Sequence, residues 1–110
     1  MSWRYQPVFT EQDGLRSYSL CEVYFDAEGN FNGWTETEAI APGGEEIEEL
    51  SGDLARMMVD ALSWEPVRFS DLKSGMVFRP RISMDERRRL ADFVDHTKGA
   101  FKPGNEPKPN

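Results

Sequence analysis

The period of the hydrophobic pattern changes once between residues 1 and 63, and this change constrains the fold more than any other feature. Large side chains alternate with smaller or polar ones in three runs before residue 41, which is typical of β-strands. From about Glu45 to Ser63, apolar residues recur at three- and four-residue steps, as in an amphipathic helix. We therefore predict a two-layer α+β domain, in which this helix packs on a three-stranded antiparallel sheet.

The three strand-like runs cover residues 3–10, 16–25 and 31–40. Because Pro7 has no N–H group, it predicts that the first strand lies at an edge of the sheet. Both faces of the second run are apolar, which favours a central strand. The segment Asp26–Asn30 predicts a hairpin turn with a positive φ at Gly29, and Gly33 predicts a bulge or kink in the third strand.

The second half of the chain predicts a short strand or two and a second helix. Residues 67–69 and 76–82 are extended runs, and Pro80 places the latter at an edge. The sequence Ser83-Met84-Asp85-Glu86 is a capping box, which opens a helix that ends near His96. We expect one domain over residues 1–97 and a flexible, proline- and lysine-containing tail over residues 98–110.

Charge is distributed unevenly along the chain. Residues 1–63 contain 13 acidic and 3 basic side chains, whereas residues 64–110 contain 7 acidic and 10 basic ones. No Lys, Arg or His occurs from Ser17 through Ala55, although this stretch has ten carboxylates. A surface of one sign selects basic partners and repels nucleic acid and anionic membranes. The alternative is an acidic surface that only keeps a small protein soluble.

The candidate partner-binding residues come from this acidic stretch. Glu36 and Glu38 are two positions apart on a predicted strand, so they are expected on one face, about 7 Å apart. The other glutamates are in the hairpin turn and at the start of the helix, and one tryptophan is a candidate for a binding hot spot. The full set comprises Glu28, Trp34, Glu36, Glu38, Glu45, Glu46, Glu48 and Glu49.

We expect no enzymatic activity, catalytic residue, cofactor or metal site. Cys21 and His96 are the only residues of their types, and a catalytic dyad would require a third orienting group. Cys21 is expected to be a small buried residue in a strand. The turn Asp26–Asn30 lacks the spaced carboxylates and the final glutamate of a calcium-binding loop.

Five arginines surround the start of the second helix. They are Arg79, Arg81, Arg87, Arg88 and Arg89. These side chains are consistent with a solvated helix face that has acidic neighbours, with phosphate contacts, or with an electrostatic contact to the acidic stretch of a second copy. The third alternative predicts a weak homodimer.

One stretch resembles the antitoxin domain of the HicB family. The residues that carry the resemblance are Tyr18-Ser19-Leu20-Cys21-Glu22-Val23-Tyr24, Gly33-Trp34-Thr35-Glu36, and the helix from Glu48-Glu49-Leu50 through Ala61-Leu62. The resemblance covers about residues 16–69 and implies a regulator that masks a toxin and contacts DNA. Pro42-Gly43-Gly44 departs from the family's short entry into the helix, and its DNA-binding module is not evident. The hairpin also looks like that of small uncharacterised bacterial and phage proteins.

These observations predict a binding protein of phage or mobile-element type. Its carboxylates would imitate phosphates and thereby inhibit or sequester a basic, nucleic-acid-binding protein, without direct contact to nucleic acid. The alternative is a HicB-like antitoxin that touches DNA through its arginine-rich part. We expect a cytoplasmic protein, because no apolar run suits a signal peptide or a membrane span.

Overall fold

The computed structural model describes the backbone of residues 1–100 and the side chains of residues 1–95. Two single-turn 3-10 helices occur at Thr37–Ala39 and Phe69–Asp71. The main elements are β1 (Ser2–Gln12), β2 (Leu15–Phe25), β3 (Phe31–Trp34), α1 (Ile47–Ser63), β4 (Val67–Arg68) and α2 (Met84–Ala100).

The sheet has four strands in the order β3-β2-β1-β4, so the α+β class is confirmed. The first three strands pair antiparallel, as predicted, whereas β4 pairs parallel with β1 through Val67 and Arg68. The short strand predicted over residues 67–69 is therefore present, but the predicted three-stranded sheet did not include it. A parallel neighbour requires a long crossover connection, and the segment that contains α1 supplies it.

The prediction that Pro7 places β1 at a sheet edge is wrong, because β1 lies between β2 and β4. The N–H of Tyr5 points away from β2 and donates to Asp60. Pro7 is two residues further along β1, so its nitrogen points the same way. Its missing N–H therefore removes no hydrogen bond between β1 and β2.

The core lies between one face of the sheet and the segment that follows α1. Its buried residues are Val8, Cys21, Val23, Phe31, Leu72 and Phe78. The N–H of Glu65 donates to the Arg79 carbonyl at 2.9 Å, and the N–H of Arg81 donates to the Ser63 carbonyl at 2.7 Å. This irregular segment, rather than α1, covers the core face. The predicted strand over residues 76–82 is reduced to one bridge between Trp64 and Pro80.

The turn predictions agree with the structure. Gly29 has a φ of 85° in the turn between β2 and β3. Tyr24 pairs with Gly33 and Phe25 pairs with Phe31, so Asn32 is the extra residue of a bulge. Gly33 therefore marks the irregularity that the sequence predicted.

The capping box of α2 is confirmed, because Ser83 Oγ accepts the N–H of Glu86 at 3.1 Å. Val94 on this helix is buried, whereas Phe93 is 65% exposed. The helix is described to Ala100, and residues 101–110 of the predicted tail lie outside the described residues. Within residues 1–100, no helix is long and apolar enough to cross a membrane.

Candidate functional site

Helix α1 turns its polar side toward the sheet. The buried Asp60 accepts the backbone N–H of Tyr5 through Oδ2 at 3.0 Å. Asp53, seven residues earlier on the same side of the helix, accepts the Tyr5 hydroxyl and, at 3.0 Å, the N–H of Gly43. The helix thus lies along the outer edge of β1 and satisfies a strand N–H that has no neighbouring strand.

The apolar side of α1 is only partly covered, since Leu50, Met57 and Ala61 are half-buried and the rest of this side is more exposed. Four large side chains recur at seven- and four-residue steps and form what we call the exposed stripe. They are Ile47 (60% exposed), Leu54 (48%), Met58 (43%) and Leu62 (41%). The prediction that the apolar side of this helix packs on the sheet is wrong, because Asp53 and Asp60 occupy the side that meets β1. A contiguous exposed apolar surface is typical of an interaction site.

Four predicted site residues lie together where α1 begins, and we call them the acidic start of α1. They are Glu45, Glu46, Glu48 and Glu49. Glu49 Oε2 accepts the N–H of Glu45 at 3.0 Å, which fixes this first turn. None of the ion pairs within residues 1–95 involves these four side chains. Their charge is stabilised by the positive end of the helix dipole.

The other predicted residues occupy separate places. Glu28 is exposed in the turn between β2 and β3, and Trp34 is 39% exposed at the end of β3. The prediction that Glu36 and Glu38 share a strand face is wrong, since β3 ends at Trp34 and Thr37–Ala39 is a 3-10 helix. The strand ends there because the hydroxyl of the next residue, Thr35, accepts the N–H of Glu22, in place of a backbone carbonyl.

The residues that orient α1 were not found from the sequence. Asp53 was counted only among the ten carboxylates between Ser17 and Ala55, Asp60 was not singled out, and the stripe was assigned to the core. The available signal was the seven-residue spacing of the two aspartates, which places both on one side of the helix. Two carboxylates on one side of a helix are also common on a solvent-exposed face. The spacing alone therefore could not show that this side of α1 packs against β1.

A cluster of charged and aromatic side chains joins β1, α1 and α2. The guanidinium of Arg4 stacks on the Trp64 ring at 3.8 Å, and that of Arg87 lies 5.2 Å from the same ring. Arg87 Nη2 is 3.7 Å from Asp60 Oδ1. Desolvation lowers the pKa of Arg4 to about 10 and raises the pKa of Asp60 above its usual value. This arrangement holds the three elements together.

A cavity of about 810 Å³ lies between the start of β1 and the two helices. Its walls contain charges of both signs, including Arg56, Arg87, Asp60 and Asp95. Arg56 stacks on the exposed ring of Trp3 at 4.8 Å. Because its lining contains groups of both signs, the charge of the cavity does not indicate a ligand of one charge.

The remaining reactive groups are described in part. Cys21 is fully buried, and desolvation raises the pKa of its thiol to about 11. The side chain of His96 lies outside the described residues. Within the described chain, no group of three or more His, Cys, Asp and Glu side chains is arranged to hold a metal ion.

Most of the arginines near α2 point into solvent. Arg79, Arg81, Arg88 and Arg89 are exposed, whereas Arg87 is half-buried against Asp60. One of the five arginines is therefore used within the chain, and four remain on the surface.

Comparisons with protein-family models, with curated proteins and with solved structures gave no match for this chain.

Proposed function

We propose that this chain is a non-enzymatic binding protein that recognises a basic protein partner through helix α1. The observation that carries the proposal is the exposed stripe, which continues from the acidic start of the same helix. A partner segment with an apolar side and basic flanks would bury the stripe and pair its cations with the glutamates. The hydrophobic contact supplies affinity, and the charges supply orientation and speed of encounter.

The partner's basic surface is proposed to be one that otherwise holds nucleic acid. Ten carboxylates between Ser17 and Ala55, without a basic residue among them, support this class of partner. A protein bound there inhibits or sequesters the partner by occupying its nucleic-acid site. The exposed Glu28, Glu36, Glu38 and Trp34 extend the negative surface beyond α1 and are secondary contacts in this proposal.

The test is affinity capture with the full chain, followed by measurement of direct binding to the captured protein. Two sets of variants are compared, namely lysine at the four glutamates of the acidic start and serine at Leu54 and Met58. Lysine at Asp71 and Asp92 is the control, because these exposed carboxylates lie on other elements. We expect both sets of α1 variants to bind the captured protein at least tenfold more weakly than the wild type does. The affinity of the control variant should change little.

Two further results would refute this assignment. A captured protein that has no basic surface, or equal binding by both site sets and the wild type, contradicts a site on α1. In a separate test, loss of biological activity in the well-folded double variant Cys21→Ala, His96→Ala would restore an enzymatic hypothesis.

A second candidate, an antitoxin-like regulator that contacts DNA, is supported by the exposed Arg79, Arg81, Arg88 and Arg89. Retention of duplex DNA by the isolated chain at physiological salt, lost on alanine substitution of these arginines, would place this function first.

A further inference from the structure

The hairpin of β1 and β2 extends beyond the rest of the sheet. All residues from Thr10 to Ser19 are exposed, and we call this segment the hairpin arm. The third strand pairs only with Val23–Phe25, so it does not reach the arm. On the other side, β4 pairs with β1 only at Val8 and Phe9.

The outer edge of β2 has no neighbouring strand from Arg16 to Leu20. Arg16 and Tyr18 lie in the exposed arm, whereas Leu20 is half-buried just beyond it, and the 3-10 helix at Thr37–Ala39 also contacts β2. Glu22 turns its backbone away from β1, because its N–H donates to Thr35 Oγ1 and its carbonyl accepts the N–H of Thr35. Strand geometry repeats every two residues, so Arg16, Tyr18 and Leu20 present their N–H and C=O groups in the same outward direction. Within residues 1–100, no strand lies beside these three residues.

This edge has few of the features by which proteins prevent strand addition. Residues 16–20 contain no proline and no lysine, and β2 pairs with β1 there without a bulge. The one charged side chain in this segment, Arg16, is paired with Glu11 at 2.6 Å. The side chains add apolar surface, since Tyr18 is 60% exposed and its ring lies 5.9 Å from that of Phe9. An open edge of this kind accepts an extended strand.

We propose that this edge pairs with the same edge of a second copy, as an antiparallel contact of β2 with β2. The open segment is symmetric about Tyr18. In a two-fold pairing, Tyr18 therefore faces Tyr18 of the second copy, and Arg16 faces Leu20 of the second copy. Three facing pairs supply about six backbone hydrogen bonds and join the two sheets into one.

Charge favours this place of contact over the rest of the surface. The hairpin arm contains Glu11, Asp13 and Arg16, which gives a net charge of −1 in a chain of net −7. Arg68 of β4 lies 3.4 Å from Glu11. When the positive charge of Arg68 is included, the net charge of this region is zero. Two arms therefore approach without the repulsion that the acidic start of α1 would cause. The contact is separate from α1 and does not depend on the function proposed above.

Sedimentation equilibrium over a range of protein and salt concentrations tests the proposal. We expect the mass to rise from 12.6 kDa toward twice that value as concentration increases. The dimer should persist at 1 M salt, because backbone hydrogen bonds and apolar contacts hold it. Tyr18→Lys places two like charges face to face and should raise the dissociation constant at least tenfold. Leu15→Lys, at an exposed position of the hairpin tip, is the matched control and should change it less than twofold.

Hydrogen exchange on the wild type provides a measurement that needs no variant. The amides of Arg16, Tyr18 and Leu20 should exchange rapidly in dilute samples and become protected as the dimer forms. A monomer at millimolar concentration would overturn the proposal. So would a dimer that dissociates with salt and leaves these amides unprotected, as expected if Arg87–Arg89 contact the acidic surface of a second copy.

Discussion

Asp60 Oδ2 accepts the backbone N–H of Tyr5 at 3.0 Å, so a helix carboxylate takes the place of a neighbouring strand at the outer edge of β1. The same carboxylate lies 3.7 Å from Arg87 of α2. Burial raises its pKa, whereas Arg4 and Arg87 act in the opposite direction. This one side chain therefore connects β1 to both helices, and its position determines which side of α1 is exposed.

Replacement of Asp60 should reveal this connection. Asp60→Ala leaves the Tyr5 N–H without an acceptor and the half-buried Arg4 and Arg87 without this carboxylate, so we expect a loss of about 2–4 kcal/mol in unfolding free energy. Asp60→Asn keeps an acceptor oxygen and should lose less than half as much. Urea unfolding at pH 7 measures both. A loss below about 0.5 kcal/mol for the alanine variant would show that the contact does not stabilise the fold.

The exposed stripe can be tested by a comparison of two leucines. Leu54 on α1 is 48% exposed, whereas Leu72 in the core is 7% exposed. Leu72→Ala should cost about 2–4 kcal/mol, because it leaves a cavity in the core. Leu54→Ala should cost less than about 1 kcal/mol. Equal losses in urea unfolding would place Leu54 in the core and remove the basis for a binding site on α1.

The difference between prediction and structure follows from what periodicity measures. Alternation and three- to four-residue steps correctly placed β1, β2, α1 and α2, because local backbone geometry produces those periods. The orientation of α1 depends on an N–H of Tyr5, 55 positions away, that needs an acceptor. The sequence pattern of the helix contains no information about that group.

The site was predicted in part for the same reason. Glu45, Glu46, Glu48 and Glu49 are close in sequence, so any helix that starts there brings them together. Whether Glu36 and Glu38 lie on the same strand face depends on where β3 ends. That point is set by the contact of Thr35 with Glu22, which is 13 residues away. Pro7 was misplaced because the direction of its nitrogen within the sheet depends on pairing register.

Cys21 should make the stability of the chain fall at high pH. Burial raises the pKa of its thiol from 9.0 to about 11, so the folded state holds this proton more tightly than the unfolded state. The contribution of the protonated thiol to the unfolding free energy is fully present below pH 9. Between pH 9 and 11 this contribution is lost, because the unfolded chain releases the proton first. The loss should approach about 2 kcal/mol.

The comparison with Cys21→Ala isolates this effect from that of Tyr5 and Tyr24, whose pKa values are also raised. The difference in unfolding free energy between wild type and variant should change between pH 8 and pH 10.5. A thiol reagent should react with native Cys21 far more slowly than with the urea-unfolded chain. Rapid reaction of the native protein at pH 8 would show that Cys21 is accessible.

Association kinetics with a captured basic partner should separate the two halves of the site on α1. The acidic start has four exposed or half-exposed carboxylates without an ion pair within residues 1–95, so it attracts the partner over distance. The association rate should fall at least tenfold between 50 mM and 500 mM salt. Lysine at the four glutamates should remove most of this salt dependence. Single reversals should do little, because an isolated exposed pair contributes only about 0–1 kcal/mol.

The exposed stripe should act on dissociation instead. Serine at Leu54 and Met58 removes apolar contact area without a change of charge, so we expect faster dissociation and an unchanged salt slope. The control is lysine at Asp71 and Asp92, which changes the net charge away from α1 by +4, half of the +8 that the four reversals at the acidic start introduce. If the control slows association in proportion to its charge, about half as much as the four reversals on a logarithmic scale, only total charge matters. In that case the surface of α1 would be a solubilising surface rather than a binding site.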